Sequence, residues 1–229
     1  MQRPRFGAAG TSCRTDRCVE HEAQRHGVYP LDDRGVQLFG ARFRDRSPHP
    51  SNRRYVYRPP MSPMPGQASA AIAGRNADII ARVNFEPDDS GVLFATGTQN
   101  SGMSLFVQGR RLVVDYNAFG DHTVLESAGE LPVGEVELEL RMRRGEQMAG
   151  SLELLVDGHT AGNVELPLYM RMMSSIGPSI GFDHGSAVSP RYAAPYPYTG
   201  TLHEIVIQSS PERFADVADA DARAETARQ

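Results

Sequence analysis

Residues 181–200, GFDHGSAVSPRYAAPYPYTG, form the most unusual surface text of this chain. Asp183, His184, Arg191, Tyr192, Tyr196 and Tyr198 stand there among Gly, Ser and Pro, the composition of a loop. Binding residues concentrate on loops held by a rigid scaffold. A carboxylate such as Asp183, with nearby loop carbonyls, supplies the hard oxygen ligands that suit Ca²⁺, and tyrosine faces stack on sugar rings. The competing use is mechanical, since aromatic residues with polar tips beside proline also seal a loop onto its own sheet or dock it on a neighbouring domain. The chain has no Trp, which weighs toward packing or docking.

Other groups of the right type lack the right spacing. Glu135, Glu137 and Glu139 share one face of EVELELRMR, as the carboxylates of a sandwich glycosidase do, but without aromatic residues to grip a sugar. Asp32 and Asp33 are adjacent, and neighbouring side chains on extended backbone point to opposite sides. His21 and His26 are five apart and miss the i, i+4 spacing of helical metal ligands. His122, His159 and His203 occur singly in or beside strand-like runs. Cys13 and Cys18 are the only cysteines, too few for a four-ligand zinc site; a local disulfide and two free thiols both remain open. The acidic loops PDDSG, 87–91, and GFDHGS, 181–186, carry two or three ligands each. The sequence therefore predicts no catalytic residue, no metal centre and no cofactor.

The elements that must position these residues are strands. ADIIARVNF (77–85), GVLFATG (91–97), MSLFVQ (103–108), RLVVDYN (111–117), HTVLES (122–127), EVELELRMR (135–143), SLELLVDG (151–158) and TLHEIVIQ (201–208) are short runs bounded by Gly, Pro, Asn or Asp. In EVELELRMR, Val136, Leu138, Leu140 and Met142 alternate with charged residues, so one face meets a core and the other meets water. Gly109 and VDG, 156–158, carry hairpin chemistry. Strands at this spacing without long helices predict an all-β fold, an antiparallel β-sandwich over residues 68–208.

Before the sandwich the text changes. Residues 1–19 show neither strand nor helix periodicity and read as disordered. Residues 20–67 read as an extended arm, with a turn or two of helix over 20–26 and RPPMSPMPG, 58–66, held extended by its prolines. RYVYR, 54–58, is the one strand-like run in that arm. YMRMMSS, 169–175, reads as an adaptable apolar edge, either second-layer core or a docking surface. The tail, 209–229, is rich in Ala and charge and reads as frayed helix or disorder.

Charge divides the chain as the pattern does. Residues 1–60 carry twelve Arg against six Asp and Glu, while the whole chain has a formal net charge of -4. The arginines are scattered without helical spacing or an aromatic platform, so no nucleic-acid partner is expected. No run is apolar enough to span a bilayer, and no secretory segment is recognisable near the start; the expected compartment is the cytoplasm.

The collinear order of GVLFATGTQNSGMSLFVQGRRLVVDYN, LPVGEVELELRMR, LELLVDGHTAG and GFDHGSAVSPRYAAPYPYTGTLHEIVI resembles the C-terminal region of bacterial, especially actinobacterial, arylsulfatases of the formylglycine type. HGVYPLDDR, 26–34, resembles the joint between the sulfatase core and that C-terminal module. The module is itself similar to laminin-G and concanavalin-like jelly rolls. This resemblance implies an accessory module, from a truncated or split member, whose partner is a sulfatase catalytic domain absent here or on another chain; carbohydrate is the second partner class considered. Members hydrolyse sulfate esters with a formylglycine made in a Cys/Ser-x-Pro-x-Arg motif. CRTDR, 13–17, has Thr15 where that motif has proline, and no catalytic residue of the family carries over.

Overall fold

A computed structural model describes residues 21, 54–70, 72–170 and 176–210. The chain divides into two units, Met1–Ser47 and Pro48–Gln229. Of the first only His21 is described, and it is helical and exposed. The expectations for residues 1–19, for most of the arm, for 171–175 and for the tail beyond 210 lie outside the described residues.

The second unit is the antiparallel β-sandwich that the alternating runs predict. Its strands are β1 (Arg54–Tyr57), β2 (Ala77–Phe85), β3 (Gly91–Thr98), β4 (Ser101–Gln108), β5 (Arg111–Ala118), β6 (Asp121–Glu126), β7 (Gly134–Arg144), β8 (Gly150–Val156), β9 (His159–Leu166), β10 (Ser179–Ile180) and β11 (Thr201–Ser209). One sheet has six strands in the order β1-β11-β2-β7-β8-β9, and the other has five in the order β10-β3-β4-β5-β6. No described helix is long and apolar enough to cross a membrane.

Alternation builds the core between the sheets. Ile79, Ala81, Val83 and Phe85 of β2 and Leu138, Leu140 and Met142 of β7 are fully buried, facing Met103, Leu105, Val107, Leu112, Val114 and Tyr116 from the other sheet. Each buried side chain of this size contributes roughly 1.5–3 kcal/mol. Tyr169 and Met170, at the start of the methionine-rich run, are also core. The Met170 N–H donates to the Tyr116 hydroxyl at 2.7 Å, and burial pushes that hydroxyl up to about 12.

Three strands, β1, β9 and the two-residue β10, extend the sequence picture. RYVYR sits within the arm by composition, yet β1 pairs along its length with β11, from Arg54 opposite Gln208 to Tyr57 opposite Ile205. The reason is Tyr57, which inserts into the core while its hydroxyl accepts the Ala70 N–H at 3.0 Å. The folded unit thus takes in residues ahead of 68. β9 carries no alternation in its text, HTAGNVEL, because it is an edge strand with most positions exposed or half-buried.

The outward face of the six-stranded sheet is a lattice of ion pairs. Arg82 bridges Glu137 at 3.0 Å and Glu204 at 2.6 Å, Arg141 pairs with Glu139 at 2.7 Å, and His203 lies 3.1 Å from Glu135. Glu137 and Glu139 of EVELELRMR are therefore each engaged by an Arg guanidinium, and Glu135 by the His203 imidazole, on a solvated face where ion pairs contribute ~0–1 kcal/mol apiece.

Candidate functional site

Within the five-stranded sheet, β3, β4 and β5 are buried on both faces. Its outward face carries Val92, Ala95, Phe106 and Val113, a second apolar cluster separate from the main core, together with Ser104 and Asp115, which stand opposite each other on β4 and β5. The segment 181–198 lies over this face. Tyr192 and Tyr196 pack on the cluster, stacked on each other with ring centroids 5.1 Å apart, and Tyr192 meets the Phe106 ring edge-on, also at 5.1 Å. Backbone bonds fasten the segment to β3 at both ends, Gly181 N–H to Leu93 O at 2.9 Å and Val92 N–H to Tyr196 O at 2.9 Å.

The six residues singled out from the sequence do not converge on one open site. Asp183 is buried, and its Oδ2 accepts the Tyr192 hydroxyl at 2.6 Å and the Val188 N–H at 2.9 Å. Tyr192 also reaches Ser104 Oγ at 2.7 Å. Arg191 clips the segment to β6 and β4 through an ion pair with Glu126 and a bond from Nε to Gln108 Oε1 at 3.0 Å. His184 is half-buried. Tyr198 alone turns to a different place, described below.

Desolvation raises the Asp183 carboxyl above the usual carboxylate range, with the Tyr192 hydroxyl, the Val188 N–H and His184 pulling it partly back. The folded state therefore holds this proton to higher pH than the unfolded chain. Stability linked to Asp183 is greatest below its ordinary value, about 3.9, and falls as pH climbs through the raised folded value. Asp183→Asn removes the titration while leaving an acceptor for Val188. Urea unfolding at a series of pH values should show the variant gaining on the native chain as pH rises through that window; parallel curves would refute the assignment.

Beneath the segment sits a residue that the sequence reading passed over. Asp115 is fully buried; its Oδ2 accepts the Ser189 hydroxyl at 2.5 Å and its Oδ1 lies 2.9 Å from His122 Nδ1. Ser, Asp and His are present, but the acid stands in the middle. Nucleophilic catalysis needs the base between nucleophile and acid, so this order positions a loop. The signal available in RLVVDYN was a carboxylate on the non-core face of a strand, which reads equally as a solvated position.

Asn117, two residues further along β5, is the tie of one end of the sandwich. Its Nδ2 donates to Gln99 O at 2.9 Å and to Val188 O at 3.3 Å, and its Oδ1 accepts the Gly120 N–H at 2.8 Å. One buried carboxamide thus joins the β3–β4 turn, the β5–β6 turn and the covering segment. The β5–β6 turn it holds is the two-residue connection Phe119-Gly120, with φ of +59° and +97°, the positive pair of a type I′ turn. A side chain at such a φ costs roughly 1–2 kcal/mol where Gly, Asn or Asp costs little. Phe119 is nevertheless 71% exposed.

Tyr198 lines a groove of about 460 Å³ with Pro59, Pro60, Met61, Phe182 and Leu202. Its hydroxyl is buried without a hydrogen-bond partner among the described residues, and burial together with the Asp89 charge holds its proton more tightly than usual. The sequence reading found Tyr198 but placed Pro59–Met61 in a linker and passed over Phe182. The available signals were two prolines and a methionine following a strand-like run, and an aromatic residue just ahead of Asp183. Among the described residues no group of three His, Cys, Asp or Glu side chains could hold a metal ion.

No family model matches this chain, and no curated protein matches it. Solved structures resemble the sandwich. They include the Ruminococcus gnavus IT-sialidase CBM40 bound to alpha2,6 sialyllactose, at 13% identity and TM-score 0.43 over 64% of this chain and 82% of that one. Mouse laminin alpha1 chain domains LG4-5 align at 16% identity and TM-score 0.45 over 72% and 42% respectively. A SAP-like pentraxin from Limulus polyphemus aligns at 15% identity and TM-score 0.40 over 69% and 70%.

Proposed function

We propose that the sandwich is a non-catalytic carbohydrate-binding module whose ligand sits in the groove beside Tyr198. The observation that carries this is the groove itself. Its volume, ~460 Å³, lies within the range of small-ligand sites. Its walls pair the flat apolar surfaces of Phe182, Tyr198 and two prolines with the hydroxyl of Thr201. A sugar has the matching character, with apolar C–H faces and a rim of hydroxyls. The groups that would favour catalysis are committed elsewhere: Asp183 to Tyr192 and Val188, Asp115 to Ser189 and His122, and the β7 glutamates to Arg82, Arg141 and His203.

Calorimetric titration of the full chain with a panel of neutral and sulfated oligosaccharides tests the reading. At least one is expected to bind with a micromolar to millimolar Kd. Phe182→Ala should weaken it tenfold or more, the ~1.4 kcal/mol of one lost stacking face, and Tyr198→Phe should weaken it less. No affinity across the panel, or unchanged affinity in Phe182→Ala, would overturn the groove assignment.

The resemblance to arylsulfatase C-terminal regions supports a second, compatible reading, that the module serves as the accessory part of a sulfatase. One feature favours it. Arg54 of β1 stands opposite Gln208 of β11, so the chain enters and leaves the sandwich at one point, as suits a module attached to a larger protein. Turnover of an aryl sulfate by the purified chain alone would overturn the non-catalytic reading in both versions.

A further inference from the structure

We infer that the Phe119 turn is a separate carbohydrate contact, a stacking platform for the face of an uncharged pyranose. It extends the ligand class proposed above but shares no residue with the groove. The groove borders Gly91 and Ile180, whereas Phe119 stands beyond the Thr98 end of β3, next to the Gln99 turn.

Three two-residue hairpin turns with paired positive φ occur among the described residues: Gly109-Arg110, Phe119-Gly120 and Asp157-Gly158. In the other two, the residue that is not glycine has work inside the chain. Arg110 pairs with Glu130 at 2.9 Å, and Asp157 Oδ1 accepts the Glu137 N–H at 2.9 Å. Phe119 has neither the conformational preference for its position nor a ring contact among the described residues, and it is 71% exposed. Neither the strain nor the exposure is offset by a contact among the described residues, the pattern of a residue kept for an outside partner. Asn117 makes the display rigid, because the same carboxamide holds Gly120 beside the ring and the neighbouring Gln99 turn. A ligand meeting Phe119 meets a surface already ordered, which lowers the entropic cost of binding.

The surroundings choose the ligand. The other large apolar residues exposed among the described ones are Val124 and Val133, and Val133 follows Leu131, which is bonded to Arg110 at the far end of β5. A lone ring is too small a patch for a protein interface. The tip presents Gln99, Asn100, Asp121 and His122 to solvent and neither Arg nor Lys, unlike the Arg- and Lys-rich surfaces that anionic membranes attract. An aromatic face is electron-rich and takes up the weakly positive C–H groups of a sugar, while flanking amides and a carboxylate take its hydroxyls. Asp121 also disfavours a sulfated or carboxylated ring, so the expected ligand is neutral.

The test is a titration of nitrogen-labelled full chain with neutral tetrasaccharides of glucose, galactose and mannose and with a sulfated galactose tetrasaccharide, followed by amide NMR. The Phe119, Gly120 and Gln99 amides should shift saturably with at least one neutral probe and at least tenfold more weakly with the sulfated one. Phe119→Asn, which puts a favoured residue in the turn and keeps the fold, should weaken those shifts tenfold or more; Phe119→Trp should keep them. Shifts confined to Gly181 and Gly200 would sink the Phe119 inference and leave the groove standing. Shifts confined to the turn would do the reverse. No shift anywhere, or turn shifts unchanged in Phe119→Asn, would overturn the inference.

Discussion

Gly91→Ala is expected to cost about 4 kcal/mol of stability, near the top of what single substitutions do. Gly91 opens β3 at φ +122°, and a Cβ built there lies 2.3 Å from Pro197 O, 2.5 Å from Pro197 C and 2.5 Å from Tyr198 Cα. Each of these is backbone that cannot swing aside. Val92 forms a parallel bridge with Pro197 at the same place, and Thr199 N–H donates to Ser90 O at 2.9 Å, so the crossing strands are pinned on both sides of the glycine. The methyl group must lift residues 196–199 off β3, and with them the Tyr192 and Tyr196 stack. Urea unfolding should show a lowered midpoint, and the near-ultraviolet circular dichroism, which in a chain without Trp comes largely from ordered tyrosines and phenylalanines, should shrink. A cost below about 1 kcal/mol would mean that the segment does not lie as close to β3 as described.

Asn117→Ala comes second, at about 3 kcal/mol. Truncation leaves two carbonyls, Gln99 O and Val188 O, and one N–H, that of Gly120, without the partner that Asn117 supplies, and a buried polar group left so costs ~1–3 kcal/mol. Asn117→Asp separates this account from simple loss of volume. Aspartate still accepts from Gly120 but, when ionised, offers no hydrogen to the two carbonyls, so it should be destabilising despite its matching size. Hydrogen exchange should quicken together at the β3–β4 turn, the β5–β6 turn and residues 186–189 in both variants. Loosening of one turn alone would argue against a shared tie.

How much of this was legible beforehand follows from which faces are buried. β2 and β7 have one core face and one solvated face, so their periods announce them, and Val136 to Met142 land inward as the alternation requires. β3, β4 and β5 are buried on both faces by a segment from far along the chain; their text reads as strand but does not say what covers them. The loop 181–200 was recognisable as special from its tyrosines and prolines. Whether those tyrosines face outward or inward depended on Phe106 and Val113, some eighty residues earlier, and no local spacing carries that information. Asn117 and Phe119 illustrate the same limit. An asparagine ending a strand and a phenylalanine before glycine are ordinary text, and only the folded chain shows one amide spanning three loops and a ring displayed on a left-handed backbone.

The meeting of Arg54 with Gln208 at one corner also fixes how the sandwich responds to tension. A load drawing those two residues apart acts across β1 and β11 one rung at a time, like a zipper pulled from its open end, instead of sliding the whole ladder at once. The edge strand would peel at low force and Tyr57 would leave the core last, which makes β1 the mechanical fuse of the fold.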